Sequence, residues 1–276
     1  MTPYWLWVNW RLGEGPFKGK GPCSKPRPSV LPLPIPLLWW VKLALFLARR
    51  KAATQPAPPD PLAFWRSTGV WESWGLGNGQ FTPERLCSIA KARGCQWIGV
   101  QDSAADRQKR DEIKQACQTY GLKLAIWEWA TTVDDALSLI DFWKPDAYVA
   151  NVEHDPGTWD TFARVVAEKH PSLPRAVFTN FWGAGATQDG YSVAEGKVWW
   201  GRGFACITEA YMVNEHGTQP SLSPSNLDWT AKTHLGYPET FPCFGIYRVG
   251  PEYYDGWAKS WPNHSWYLAE YLPEAR

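Results

Sequence analysis

The chain has 276 residues, which is enough for one α/β barrel or for two small domains, and its net charge is +1. The charge is uneven, because residues 1–60 carry nine Lys and Arg against two Asp and Glu, whereas residues 61–276 carry nineteen against twenty-five. The longer segment is therefore mildly acidic, which argues against a nucleic-acid-binding core. The six cysteines include no Cys-x-x-C pair, so we expect folding in a reducing cytoplasm, with a single disulfide at most.

Residues 1–61 differ in composition from the rest of the chain and are predicted to form a Pro-rich, basic extension. Eleven of the 24 prolines lie in residues 1–60, and proline disrupts helix interiors and central strands. One apolar run at residues 37–48, followed by three basic residues, predicts a short helix over about residues 37–51. The run is shorter than the roughly 20 residues that span a bilayer, and its position does not fit an ordinary signal peptide.

Three interpretations of this N-terminal helix stay open. It packs on the barrel or on another subunit, it docks on a membrane surface or a larger protein assembly, or it belongs to an upstream extension without a fold of its own. Residues 52–61 contain four prolines and predict a stiff linker. We therefore place the domain boundary between residues 61 and 62.

Downstream of this boundary, apolar runs alternate with segments of helical pattern. The predicted strands cover residues 68–74, 96–101, 122–128, 147–153, 175–180, 204–209, 243–247 and 266–270. Helices are predicted to begin at Thr82 and to cover residues 106–120, 132–142, 155–169, 224–235 and 252–259. Eight strands with intervening helices predict a (β/α)8 barrel over residues 62–276. The alternative is an open doubly wound sheet, although no Gly-rich dinucleotide or Walker motif follows any strand.

Polar and aromatic residues gather at the carboxyl ends of the predicted strands. Parallel strands bind ligands at that end in both barrels and open sheets. Because strand residues alternate in direction, Asn151 and Glu153 are predicted to face the barrel mouth together, and Trp127 shares a face with Trp129 while Glu128 takes the other. The candidate set at these ends comprises Glu72, Asp102, Glu128, Asn151, Glu153, Asn180, Glu209, Tyr247 and Glu270.

The residue types in this set suit glycoside hydrolysis. That reaction needs a carboxylic acid beside a second carboxylate or an amide-assisted route, and indole rings stack on the apolar faces of sugars. Glu153 is the predicted general acid, and Glu209 or Glu72 is the predicted second carboxylate. The predicted substrate contacts are Asn151, Asn180, Trp71, Trp129, Trp182, Tyr211 and Tyr247. The competing interpretation of the tryptophans is packing, since the chain contains 20 of them.

A metal or cofactor is not expected. Glu153, His154 and Asp155 are all residue types that ligate cations, but consecutive strand residues point to opposite faces, and no His-x-x-x-His spacing exists. The sequence also lacks a Gly-x-Ser-x-Gly elbow, which argues against an α/β-hydrolase.

Short segments on three of the predicted strands resemble known glycosidases. The segment Asn151-Val152-Glu153 resembles the Asp-x-Glu strand motif of family 25 glycoside hydrolases, the lysozyme-type muramidases. Residues 176–182 and 207–211 resemble later strands of the same family, and residues 146–153 are similar to the Asp-rich strand-four signature of the chitinase-like family 18. The likeness implies a barrel in which Glu153 is the proton donor. The chain departs from the motif at Asn151, which cannot carry the charge of the family's Asp.

Two functions are therefore expected from the sequence. The first is a glycoside-hydrolase-like barrel that cleaves or binds a cell-wall or cell-surface polysaccharide. The second is a structural or adhesion protein, such as a phage minor tail component, that keeps the barrel as a scaffold and joins a larger assembly through residues 1–61. Under both functions we expect synthesis in the cytoplasm without a recognisable signal peptide. The second function implies association with a virion. Neither function includes a nucleic-acid partner or a transmembrane segment.

Overall fold

A computed structural model describes residues 40–44, 46, 60–72, 76, 82–129, 132–151, 159–179, 198–210, 213–214, 217–218, 223–246 and 251–267. The chain divides into two compact units, Met1–Ala57 and Pro58–Arg276. In the first unit the described residues are helical, and Trp40, Val41 and Phe46 expose half or more of their surface. None of the helices in the described ranges has both the length and the apolar character that a membrane crossing requires.

Eight parallel strands close into a barrel in the second unit. The strands are β1 (Gly69–Glu72), β2 (Trp97–Gln101), β3 (Lys123–Trp129), β4 (Ala147–Asn151), β5 (Arg175–Thr179), β6 (Phe204–Ala210), β7 (Thr240–Gly245) and β8 (Ser265–Tyr267). Each strand pairs with the next one in the sequence, and β1 closes the sheet against β8. The predicted (β/α)8 barrel is thus confirmed, and the alternative of an open sheet is wrong because β1 and β8 pair in parallel through Gly69 and Ser265.

Helices and turns connect the strands. They are α1 (Pro83–Ala92), α2 (Ala104–Gln108), α3 (Arg110–Tyr120), α4 (Val133–Trp143), α5 (Trp159–Lys169), α6 (Pro224–Thr230), which continues as a π-helical turn (Ala231–Leu235), a 3-10 turn (Pro251–Tyr254) and α7 (Asp255–Ser260). A helical turn at 198–201 precedes β6. A two-stranded antiparallel ribbon, Val213–Asn214 with Gly217–Thr218, follows β6.

Local capping explains most of the helix starts. Thr82 and Thr132 each accept a backbone N–H three residues later, as their positions in the sequence indicate. The predicted helix over residues 106–120 is instead two helices, because Ser103 accepts the backbone N–H of Asp106 and starts α2 earlier, and the chain leaves helical geometry at Lys109. Gly121 ends α3 in the left-handed region, at φ 64°.

Two indole rings inside the barrel lie against glycines of the neighbouring strand. Trp71 on β1 is paired in register with Gly99 on β2, and Trp97 on β2 is paired with Gly69 on β1. A Cβ atom on Gly99 would lie 1.9 Å from the Trp71 ring, and one on Gly69 would lie 2.1 Å from the Trp97 ring. Each of these two strands therefore contributes one tryptophan and one glycine to the interior. The two indole rings contact each other at 4.7 Å between centroids.

A short segment before β1 covers the amino-terminal end of the barrel. Leu62, Phe64 and Trp65 are buried in the same cluster as the barrel interior. Phe64 and Trp65 contact the ring of Trp97, the first residue of β2, at 5.6 and 5.7 Å between centroids. Arg66 joins Glu239 on the approach to β7 at 2.9 Å. These contacts tie the segment to β2 and to the residue that precedes β7.

The covering segment leads to a prediction about truncation. We expect a fragment of residues 62–276 to fold and to melt within a few degrees of the full chain, because it retains all three buried side chains. A fragment of residues 68–276 loses them, and their burial contributes about 5 kcal/mol, so we expect it to be molten or insoluble. Thermal melting followed by near-ultraviolet circular dichroism checks both fragments. Failure of the longer one would show that residues before 62 complete the barrel and that the predicted boundary is misplaced.

Candidate functional site

The carboxyl ends of the strands form the mouth of the barrel, and five polar or aromatic side chains of the described residues are placed on its inner side. Ala147 and Val149 belong to the interior cluster, so the next residue of that parity on β4, Asn151, faces inward as well. The same parity places Glu209 inward on β6 after Ala205 and Ile207. The inward residues at the described strand ends are Gln101, Trp129, Asn151, Glu209 and Tyr267. Asn151 and Glu209 are each 5 % exposed.

Trp129 presents an exposed indole at this mouth. It is 45 % exposed and lies in register with Asn151 on the neighbouring strand. Its ring contacts Trp127 edge-on, at 6.4 Å and 89°. Trp127 is itself buried between Phe178 and Tyr267, at 5.9 and 6.1 Å. The exposed ring is therefore supported from below by a packed aromatic group.

Trp71 lies deeper in the barrel than sequence reasoning placed it. Its side chain is 0 % exposed and contacts Phe178 at 4.8 Å between ring centroids. Its indole N–H donates to Ser265 Oγ at 2.8 Å. The structure thus places Trp71 among the core residues, with Gly99 and Trp97 beside it, and leaves Trp129 as the exposed indole among the predicted stacking residues that are described.

Glu72 lies on the outer side of β1. Trp71 faces the barrel interior, so the next residue faces the surrounding helices. Glu72 is fully buried, and its carboxylate accepts the backbone N–H of Leu76 at 2.8 Å. Its backbone carbonyl accepts the indole N–H of Trp127 at 3.1 Å. Glu72 is therefore placed to hold the turn after β1, and of the two predicted partner carboxylates Glu209 is the one on the inner face.

A second group of polar side chains lies on the outer side of β2, β3 and β4 at the same end. Tyr148 donates its hydroxyl to Glu128 at 2.9 Å. Burial raises the pKa of Glu128 to about 7, with Asp102 and Asp135 adding to the rise and the Tyr148 hydrogen bond opposing it. Arg107 donates twice to Asp102, at 2.8 and 2.7 Å. Asp102 and Glu128 were predicted from the sequence at the strand ends, but their partners were not, because Tyr148 is part of an apolar run and Arg107 belongs to the next helix.

The remaining predicted site residues lie outside the described residues: Glu153, Asn180, Trp182, Tyr211, Tyr247 and Glu270. Within the ranges that the structure describes, no group of three or more His, Cys, Asp and Glu side chains is arranged to hold a metal ion. The described inner face thus supplies an amide, a carboxylate and an aromatic surface. These groups can hydrogen-bond hydroxyl groups and stack on an apolar ring face.

Comparison with known proteins identifies the fold of the chain but assigns the chain to no family. No protein-family model matches the chain, and no curated protein matches it in sequence. The catalytic domain of a hyperthermophilic chitinase from Pyrococcus furiosus superposes with a TM-score of 0.53 at 11 % identity, covering 74 % of this chain and 84 % of that one. Catalytic-site mutants of active domain 2 of a thermostable chitinase from the same organism, complexed with chito-oligosaccharides, superpose with a TM-score of 0.52 at 10 % identity, covering 74 % and 83 %. The chain therefore has a TIM-barrel fold that distantly resembles the fold of chitinases.

Proposed function

We propose that the barrel mouth binds a cell-wall or cell-surface polysaccharide. The observation that carries this proposal is the exposed Trp129 ring in register with Asn151, with Glu209 on the same inner face. A sugar ring offers an apolar face and a rim of hydroxyl groups. An indole next to an amide and a carboxylate matches both features.

The burial of these polar groups supports the same function. Asn151 and Glu209 are each only 5 % exposed, so they have already lost most of their hydration. The free-energy cost of desolvating them when a ligand binds is therefore small. The structurally similar chitinases share the barrel fold, and one of them is complexed with chito-oligosaccharides. This likeness supports the choice of ligand class by analogy only, because one fold hosts many functions.

The binding proposal is tested with a matched pair of tryptophan variants. We expect Trp129→Ala to weaken binding of chitotetraose or of soluble peptidoglycan fragments by roughly tenfold, the effect of losing about 1.4 kcal/mol of stacking. Trp229→Ala is the control, since Trp229 is 52 % exposed on α6 and does not lie at the mouth. Isothermal titration calorimetry measures both variants. Equal affinities for wild type and Trp129→Ala would place the ligand elsewhere, and absence of binding by the wild type to either glycan would remove the proposal.

Hydrolysis is the more specific form of this function. In it Glu153 protonates the glycosidic oxygen, and Glu209 is the second carboxylate or orients the attacking group. Asn180 and Trp182 then contact the substrate with Tyr211 and Tyr247. These assignments come from the positions of the residues in the sequence, and the inward direction of Glu209 supports them.

A non-catalytic adhesion protein is the second candidate, and Asn151 favours it. The related glycosidases carry an Asp at the corresponding motif position, and an amide cannot supply its negative charge. In this version the barrel holds a glycan without cleaving it. The basic residues 1–61, with a charge of +7 up to residue 60, dock onto a larger assembly such as a phage tail, and the protein is virion-associated.

A further inference from the structure

The outer side of β3 and β4 carries a hydrogen bond directly behind the proposed glycan-binding face. Trp129 and Asn151 face inward as registered partners, and Glu128 is paired with Ala150 one step below them. Tyr148 faces outward from β4 and reaches Glu128 at 2.9 Å. The same two strand ends therefore present an aromatic and an amide on one side and a linked carboxyl and phenol on the other.

The charges around Glu128 favour its neutral form. Asp102 at the end of β2 and Asp135 on α4 raise the pKa of Glu128, burial is the largest cause, and the nearby Arg107 on α2 lowers it. The Arg107 guanidinium is engaged with Asp102 through two hydrogen bonds, and Asp102 also accepts the indole N–H of Trp143 at 2.7 Å. An ionised Glu128 would thus add a third negative charge beside Asp102 and Asp135, with Arg107 as the basic residue that acts on it.

Glu128 is tied to the mouth by its own backbone. It lies between Trp127, which is packed on Phe178 and Tyr267, and Trp129, which is the last residue of β3. Trp127 is packed in the barrel core, whereas Trp129 is 45 % exposed and contacts Trp127 edge-on. Glu128 thus lies between a fixed ring and an exposed ring, at the end of β3 that carries Trp129.

We propose that Glu128 is a positioning residue for the glycan-binding face, with Tyr148 as its hydrogen-bond partner. The buried neutral carboxyl holds the end of β3 and Trp129 in place, and ionisation draws the carboxyl toward water and loosens them. The Tyr148 hydrogen bond opposes this loosening, because it is stronger to the ionised carboxyl. The inference rests on the proposed function for its ligand. Its direction follows from linkage, because a carboxyl whose pKa is raised in the folded state binds its proton more tightly there than in the loosened state. Glycan affinity is therefore highest below the ordinary glutamate pKa of 4.5 and falls as the pH rises toward about 7.

The test reads Trp129 directly, without a glycan. The full chain is labelled with 5-fluorotryptophan, and the Trp129 resonance is assigned by its loss in Trp129→Phe. We expect its ¹⁹F shift to titrate with a midpoint near pH 7 and to become flat in Glu128→Gln. In Tyr148→Phe the midpoint moves upward, because the hydrogen bond that stabilises the ionised carboxyl is gone. Glu84→Gln, which alters an exposed carboxyl on α1, is the control and leaves the midpoint unchanged.

Chitotetraose affinity measured at pH 5.5 and 8.5 gives the second arm. If loosening of the β3 end changes the pKa of Glu128 by about one unit, the affinity is roughly tenfold lower at the higher pH. Glu128→Gln removes that loss. A pH-independent Trp129 signal in the wild type, or a titration that persists in Glu128→Gln, overturns the inference even where the glycan binds. A titrating Trp129 signal in a protein that binds no glycan upholds the positioning role and refutes the proposed ligand.

Discussion

We expect Gly99→Ala to destabilise the barrel by about 3 kcal/mol or more. The added methyl group would lie 1.9 Å from the Trp71 ring. That ring is enclosed by Trp97 and Phe178, and its N–H is bonded to Ser265, so it has no free direction in which to move. Urea unfolding followed by circular dichroism measures the change in the free energy of unfolding. In a thermal melt we expect a drop in melting temperature of roughly 10 °C.

Two variants make this result specific. Gly256→Ala is the control, because Gly256 lies exposed on α7 with no atom within 4 Å of the added Cβ, and alanine is favoured over glycine in a helix. We expect that variant to be as stable as the wild type or up to about 1 kcal/mol more stable. Combining Gly99→Ala with Trp71→Phe should recover part of the loss, since the smaller ring frees space. Wild-type stability of Gly99→Ala alone would mean that Trp71 does not lie against β2.

For a barrel that cleaves glycans, we expect Glu209→Gln to lower turnover by a factor on the order of 10² while leaving the fold and the binding of chitotetraose intact. The amide keeps the size of the side chain but removes its charge and its ability to carry a proton. Glu153→Gln should have a comparable effect through loss of the acid. Release of reducing ends from peptidoglycan or a chito-oligosaccharide measures both, with Glu84→Gln as a surface carboxyl control.

Asn151→Asp separates the enzyme from the adhesion protein. Because Asn151 faces the mouth, a carboxylate there would be held at the position that the glycosidase motif assigns to Asp. Cleavage that appears only in Asn151→Asp would identify a hydrolase that lost this charge. Cleavage by the wild type that Asn151→Asp disturbs would identify an active enzyme. Glycan binding without cleavage in both proteins would establish the adhesion function.

Much of the fold could be predicted because the signals are local or repeat along the chain. Each barrel strand is buried on both faces, so it appears as a continuous apolar run, and the starts of α1 and α4 are marked by capping threonines. The division of residues 104–120 into α2 and α3 was missed, since Ser103 offers a second helix start that competes with the one at Asp106. The beginning of β7 was missed as well, because Pro242 lies inside the strand, where proline is unusual.

The sequence by itself determined the barrel, the strand ends that form its mouth, and the shared direction of residues two apart on a strand, because these depend on composition and on the geometry of a single chain. Only the tertiary structure decided which of Trp71 and Glu72 faces inward. Both are fully buried, so burial does not distinguish them, and the choice depends on the space that Gly99 leaves on the next strand. The structure alone also joined Glu128 to Tyr148 and Asp102 to Arg107 and Trp143. These contacts arise from strand pairing and helix packing, which bring together side chains whose individual positions carry no signal of their partners.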